Sequence, residues 1–271
     1  MASHPPLSPP LSTSQYCALA GGTAFGLTET GPFRAANEDN FLLAPQPGLL
    51  AVADGMGGHA GGATASAEAL ALLHAFLRAA GHGADDTFAP GAHGAAPLHT
   101  LGAAVAHANA RLYQANTALG RPEGTGMGTT LTALWRPDPA GPAYVGHVGD
   151  SRLYLLRAGR IAQVTHDQTL YQQALDAGRT AMLPGRNLLL QALGPGPAVQ
   201  PELLVQPVAP GDLFLLCSDG LHGDSADGAI AAILADARDD DLHERCAALV
   251  ALALHDGSRD NVTAVLLRCA G

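Results

Sequence analysis

Basic clusters are missing from this 271-residue chain: 14 Lys and Arg stand against 24 Asp and Glu, a formal charge of −10, and no run of cations could track a nucleic-acid backbone. Nucleic acid is therefore set aside as a partner. Aromatic residues are also scarce, 4% within a hydrophobic share of 47%, so a core has to be built from Ala, Leu and Val. That hydrophobic share excludes a disordered chain. Cysteine is sparse: Cys17, Cys217, Cys246 and Cys269 are widely spaced, form no C-x-x-C pair and sit mostly in apolar runs, as expected in a reducing cytosol. No apolar run approaches the roughly 20 residues that span a bilayer. Met1 to Gln15 is rich in Pro and Ser and has no basic start, unlike a secretory signal. The expectation is a cytoplasmic, monomeric protein with a flexible leader over residues 1–20 and a single domain over 21–271.

What is present is a grouped pattern of strands and helices. Short strands are predicted at Thr23–Glu29, Phe41–Leu43 and Leu49–Ala53, the last ending abruptly at Asp54-Gly55. Ala67, Leu70, Leu73 and Leu77 recur at helical spacing and predict a helix over Thr64–Ala80. A Gly, Ala and His loop separates it from a second helix at about Leu98–Leu119. Four strands at Thr129–Trp135, Ala143–Val148, Arg152–Arg157 and Arg160–Val164 follow, with turns between them that read as an antiparallel meander. A short helix at Thr169–Gly178, an excursion over Arg179–Pro197, a strand Asp212–Cys217, helices Ala226–Asp236 and Asp241–Leu254 and a strand Val262–Arg268 complete the chain. Grouped strands with helix pairs between and after them predict an α+β layered domain rather than regular β-α-β alternation.

Glu38-Asp39, Asp54, Asp150, Asp219 and Asp260 share one setting, each beside a strand end or tight turn. A carboxylate at the end of a buried strand pays a desolvation cost unless a donor or cation meets it, and hard cations such as Mg²⁺ and Mn²⁺ take oxygen ligands. The plainer reading is that Asp-Gly marks a turn, and spacing alone leaves both open.

Six runs then carry a resemblance: Arg34-Ala-Ala-Asn37-Glu38-Asp39-Asn40, Val52-Ala-Asp54-Gly55-Met56-Gly57-Gly58-His59, Gly128-Thr129-Thr130, Val148-Gly149-Asp150-Ser151-Arg152, Cys217-Ser218-Asp219-Gly220-Leu221 and Arg259-Asp260-Asn261-Val262-Thr263. In kind and order they resemble the motifs of the PP2C family of metal-dependent Ser/Thr phosphatases, in its bacterial branch. The resemblance runs from about Thr23 to Arg268. It implies a four-layer α/β/β/α sandwich of two antiparallel sheets flanked by helix pairs. It implies two Mn²⁺ or Mg²⁺ ions in a core site: Asp54 bridging both, Glu38 and the Gly55 carbonyl completing one, Asp219 with Asp260 holding the other. Asp150 with Asp219 matches the position of a third ion. Asp39 would orient water from behind the ligands, and Arg34 would grip the substrate phosphate, a task suited to its planar fork of donors. The partners implied are phosphorylated proteins, among them a Ser/Thr kinase and its targets, and residues 167–193 match a variable flap beside the cleft.

One branch of the family has histidine directly after Asp-Gly, proposed there as general acid. Here Met56 holds that place, and His59 is the nearest histidine in sequence. His147, His166 and His222 form no zinc-ligand pair, Ser218 lacks the G-x-S-x-G setting of a serine hydrolase, and Gly57-Gly58 lacks the P-loop Lys. Two rivals to the phosphatase reading are an inactive family member acting as a binding module and a two-metal phosphodiesterase.

Overall fold

The computed structural model describes residues 13–57, 60–82 and 95–270. The first strands are β1 (Ser14–Leu19), β2 (Gly22–Glu29), β3 (Asn40–Ala44), β4 (Leu49–Ala53) and the two-residue β5 (Gly55–Met56). Helices α1 (Ala60–His82) and α2 (Ala95–Ala118) come next, followed by β6 (Gly128–Thr129), β7 (Leu131–Trp135), β8 (Ala143–Val148), β9 (Arg152–Arg157) and β10 (Arg160–Gln163). The remainder is α3 (Leu170–Asp176), β11 (Glu202–Gln206), β12 (Leu213–Cys217), α4 (Asp219–His222), α5 (Asp227–Leu234), α6 (Leu242–Asp256) and β13 (Val262–Cys269).

Two antiparallel sheets result, one in the order β1-β2-β13-β12-β9-β10 and one in the order β11-β8-β7-β4-β3. The apolar run Leu49-Leu50-Ala51-Val52-Ala53 shows why both faces of a sheet are covered. Leu50 and Val52 point into the core between the sheets, with Phe214, Leu216 and Val265, whereas Leu49, Ala51 and Ala53 face Leu70, Leu73, Leu77 and Leu101 of α1 and α2. In β12, Phe214 and Leu216 face inward while Leu213, Leu215 and Cys217 meet the layer of α5 and α6. The α/β/β/α order predicted from the motifs is the observed one. Each fully buried leucine contributes about 1.5–3 kcal/mol. Leu73→Ala therefore costs about 2–5 kcal/mol with its cavity included.

Four expectations need correction. Residues 14–19 are not part of a flexible leader: Ser14–Leu19 pairs in full with Gly22–Leu27, because Cys17 anchors it in the inter-sheet core, and residues 1–12 of the expected leader lie outside the described residues. The four central strands are not a meander. β7 and β8 pair in one sheet, but β9 pairs with β12 and β10 in the other, so the chain changes sheets through Gly149-Asp150-Ser151. Those residues resemble a hairpin turn in sequence, yet they are packed inside: Ser151 Oγ bonds Thr130 Oγ1 at 2.7 Å, and its carbonyl accepts from Thr132 Oγ1 at 2.7 Å. Gly149 adopts φ +104°, and a Cβ there would lie 2.7 Å from the Thr130 side chain. Finally, β11 was not foreseen. It is an edge strand against β8, framed by Pro201 and Pro207. The second helix starts earlier than predicted, with Pro97 in its first turn, where a missing N–H costs nothing.

Candidate metal centre

Strand register decides where the acids meet. Asn40 pairs with Ala53, so Glu38 and Asp39, just before β3, lie beside Asp54, just after β4. Val52 pairs with Thr132 and Leu131 with Val148, carrying the same end across to Asp150. In the other sheet Cys217 pairs with both Arg152 and Ala264, which brings Asp219 and Asp260 to that end as well. The crossover at Asp150 belongs to both sheets. The predicted site residues Arg34, Glu38, Asp54, Gly55, Asp150, Asp219 and Asp260 all line one cleft of about 240 Å³. Asp39 stands behind it, nearly inaccessible. A roomier cleft of about 470 Å³ at the opposite end, between Leu19 and Trp135, has no carboxylate in its walls, so the chemistry belongs to the smaller one.

The local sequence holds each group in place. The Asp54 amide donates to Thr130 Oγ1 at 3.0 Å, and its carbonyl accepts from the Thr130 amide at 2.8 Å and Thr129 Oγ1 at 2.9 Å. Gly55 must be glycine: a Cβ would stand 2.2 Å from the Gly62 carbonyl oxygen and 2.5 Å from that of Glu38. The Glu38 amide donates to Asn261 Oδ1 at 2.9 Å and its carbonyl accepts from Ser66 Oγ at 2.6 Å, tying β3, α1 and β13 together. Asn261 Nδ2 in turn donates to the carbonyls of Thr30 and Ala36. Asp39 Oδ2 accepts from Ser218 Oγ and Thr263 Oγ1, both at 2.6 Å. Asp260 Oδ1 accepts from the Asn261 amide at 2.8 Å, while its Oδ2 pairs with Arg34. Sequence reasoning missed the supporting roles of Asn261, Ser218 and Thr263. Their only signal was polarity at strand ends inside motifs already singled out for their aspartates.

Crowding these acids in a dry site raises their proton affinity. Burial, then the neighbouring Asp39, Asp219, Asp150 and Asp260 carboxylates, hold the Asp54 carboxyl well above the usual range. Burial pushes Asp39 up to about 7, against the opposing pull of the Ser218 and Thr263 hydroxyls. Asp150 is pushed up to about 8 by burial and by Asp219 and Asp167. Asp219 is raised by burial and by the neighbouring Asp260 carboxylate.

Glu38 Oε1, Asp39 Oδ1 and Asp219 Oδ1 are buried with no hydrogen-bond partner. Each orphan costs about 1–3 kcal/mol, more when charged. Among the described residues no three acidic, His or Cys side chains are drawn in around one point. The orphaned oxygens are the groups that a further donor or a cation would have to meet. An all-oxygen set of this kind, with the Gly55 backbone among it, fits hard divalent cations and excludes a thiolate or imidazole zinc site.

His147 and His222 belong to the core. His147 sits between Thr132 Oγ1 at 2.9 Å and the His166 carbonyl at 3.2 Å, and burial pushes it down to about 4, so it is neutral. His222 bonds the Asp150 carbonyl at 2.9 Å and is likewise pushed down to about 4 by burial. Met56 lines the cleft and has no proton to give. His59 lies outside the described residues.

An α/β/β/α sandwich with an all-carboxylate cradle at one end of its two sheets defines the class: a protein built around hard divalent cations. The profile of the protein phosphatase 2C family matches residues 34–250. The chain is 39% identical over 245 residues to the serine/threonine protein phosphatase PstP of Mycobacterium tuberculosis, an alignment covering 88% of this chain and 43% of that protein. It is 32% identical over 253 residues to the serine/threonine phosphatase stp of Listeria innocua, covering 89% of this chain and 93% of the relative. A crystal structure of the PstP catalytic domain in complex with two manganese ions superposes with a TM-score of 0.74 at 35% identity, covering 95% of this chain and 99% of that one. The chain belongs to the protein phosphatase 2C family, a metal-dependent family. It spans less than half the length of full-length PstP.

Proposed function

We propose that this chain removes phosphate from phosphoserine and phosphothreonine in proteins, with two Mn²⁺ or Mg²⁺ ions in the acid cradle and a third at Asp150. The carrying observation is the set of buried, partnerless oxygens on Glu38, Asp39 and Asp219 at the shared end of both sheets. Glu38, Asp54 and the Gly55 carbonyl would hold one ion, Asp54, Asp219 and Asp260 the second, and Asp150 with Asp219 the third. Once bound, such ions supply an ionised water at neutral pH and positive charge against the phosphoryl oxygens.

The chain's own groups do the rest. Arg34, half exposed on the cleft rim, brings a planar fork of N–H donors that suits two oxygens of a phosphate. Asp39, fixed through Oδ2 by two hydroxyls, has Oδ1 left over to orient water from behind the ligands. Thr129, Thr130 and Asn261 hold the backbone of Asp54 and Glu38 so that neither side chain has to be ordered at the moment of reaction. Ser218 is engaged with Asp39, which supports direct attack by water rather than a serine nucleophile.

The substrates in this reading are phosphoproteins, including a Ser/Thr kinase. A net charge of −10 argues against polyanionic nucleic acid. Four buried, unpaired cysteines support a reducing, cytoplasmic setting, and among the described residues no helix is long and apolar enough to cross a membrane. The flap over residues 167–193 and a monomeric state complete the proposal. p-Nitrophenyl phosphate turnover with Mn²⁺, abolished by EDTA and by Asp54→Asn, is expected, with phosphothreonine peptide preferred over phosphotyrosine peptide and single-stranded DNA. Inactivity with Mn²⁺ and Mg²⁺ from pH 6 to 9, or preference for DNA, would overturn it.

A further inference from the structure

The metal cleft opens into a second groove of about 390 Å³ that shares Arg34, Asp150, Asn187, Asp219 and Asp260 with it. A peptide whose phosphate sits in the cradle has to lay its neighbouring residues along this groove. Every basic residue of the chain is an arginine, 14 in all, and four of them line it: Arg34, Arg152, Arg186 and Arg259. Two are committed elsewhere. Arg34 pairs with Asp260, and Arg152 pairs with Asp167 at 2.7 Å while bonding Tyr154 Oη at 2.8 Å.

Arg186 and Arg259 differ. Neither forms an ion pair among the described residues, although Asp224 also lines the groove. Both are exposed, and each guanidinium lies over an aromatic ring: Arg186 over Tyr171 at 4.8 Å from the excursion after α3, Arg259 over Phe33 at 4.6 Å from the turn between α6 and β13. Stacks of this kind occur about once per 70–80 residues, so their number alone means little. Their position does. Two separate segments each hold a cation without an ion-pair partner on the same groove, at the rim of a lining that carries seven carboxylates, so an anion entering there meets its attraction at these two guanidiniums. Arg186 Nη2 donates one long bond to the Tyr171 hydroxyl at 3.4 Å, and each stacked guanidinium still has other N–H donors and has already lost much of its rotamer freedom, so capturing an anion costs little extra entropy.

We propose that Arg186 and Arg259 are specificity residues that bind acidic side chains flanking the phosphorylated serine or threonine. The preferred substrates are then phosphopeptides rich in Asp and Glu around the target. This rests on the phosphatase reading above, and it adds a substrate class to it.

The test uses three phosphothreonine peptides of one length, with acidic flanks, with neutral Gln and Asn flanks, and with neutral flanks plus a second phosphoserine. Exposed ion pairs of this kind change selectivity by about two- to fivefold each. The wild-type protein is therefore expected to favour the acidic over the neutral peptide by about five- to twentyfold in kcat/KM at low salt. The preference should shrink with added NaCl and invert in the Arg186→Glu, Arg259→Glu double variant. A second phosphate that outperforms acidic flanks would overturn the assignment to acidic side chains. Equal kcat/KM for acidic and neutral peptides, or a preference the double variant keeps, would sink the proposal. Fluorescence anisotropy of the same labelled peptides reports the groove's preference without turnover, and p-nitrophenyl phosphate, which has no flanks, reports the phosphatase reading on its own.

Discussion

Removing divalent cations with EDTA makes the stability of this protein fall as pH rises from 6.5 to 8. Burial pushes Asp39 up to about 7 and Asp150 up to about 8 in the folded chain, well above the usual carboxylate range, and both are almost wholly buried. Above pH 6.5 the unfolded chain has given up these protons, whereas the native chain still holds part or all of them. Native therefore binds more protons than unfolded, and the slope of stability with pH is negative, about 1.4 kcal/mol per pH unit for each proton of difference. One retained proton at Asp150 alone gives a loss of about 2 kcal/mol across this window. That is about 4–8 °C in Tm for a domain of this size. Asp54 and Asp219, raised in the same direction, add to it.

The window matters for the sign. Below pH 6.5 the buried His147 and His222, both pushed down to about 4, work the other way, because the unfolded imidazoles take up protons that the native ones refuse. Above pH 8 the buried thiols begin to contribute, with Cys217 pushed up to about 12 and Cys269 to about 11. Differential scanning fluorimetry at pH 6.5, 7, 7.5 and 8 in EDTA, repeated with excess Mn²⁺, measures the effect. Asp150→Asn should flatten the EDTA series, and Mn²⁺ should remove the fall by rewarding the ionised carboxylates. A Tm in EDTA that is constant or rises between pH 6.5 and 8 would refute the reasoning.

Two substitutions test parts of the site separately. Arg34→Ala is expected to raise KM for a phosphothreonine peptide by about tenfold or more, since a hydrogen bond to a charged group carries about 1.5–3 kcal/mol. Mn²⁺ affinity by isothermal titration calorimetry should stay unchanged, and equal losses in both would make Arg34 a structural residue. Gly55→Ala places a methyl 2.2 Å from the Gly62 carbonyl, so it should destabilise the fold by about 1–3 kcal/mol and weaken Mn²⁺ binding together. Wild-type stability with weakened binding would show that the turn yields without strain.

Much of the layering was legible because both faces of the central strands are covered. Leu49–Ala53 and Leu213–Cys217 read as unbroken apolar runs, and α1 announced itself through Leu70, Leu73 and Leu77. Pairing partners were not legible. Whether Arg152–Arg157 continues beside β8 or joins β12 depends on contacts more than 50 residues apart, such as Leu153 with Leu216, and the local Gly-Asp-Ser turn fits either outcome. β1 was hidden by its setting: only Cys17 of its six residues is buried, too weak an alternation to stand out beside a Pro- and Ser-rich stretch.

The acids were legible as individuals but not as a site. Nothing in their spacing fixes Asp54 beside Asp219, some 165 positions away, since ladder register places them together and register is set by apolar side chains far from the chemistry. Their number is itself a physical statement. Six carboxyls facing one dry end of a sandwich oppose folding, and the three partnerless oxygens show that protein donors do not fully offset that cost. A soluble surface could carry the same acids far apart at no cost, so the excess of Asp and Glu splits into two populations. The exposed ones meet water, and buried Asp212 meets Arg157, whereas on the proposed reading Glu38, Asp39, Asp54, Asp150, Asp219 and Asp260 would make part of the chain's stability depend on divalent cations. Metal binding at the proposed centre would then be linked to folding as well as to the proposed activity, so the pH dependence of the metal-free protein tests the centre before any substrate is added.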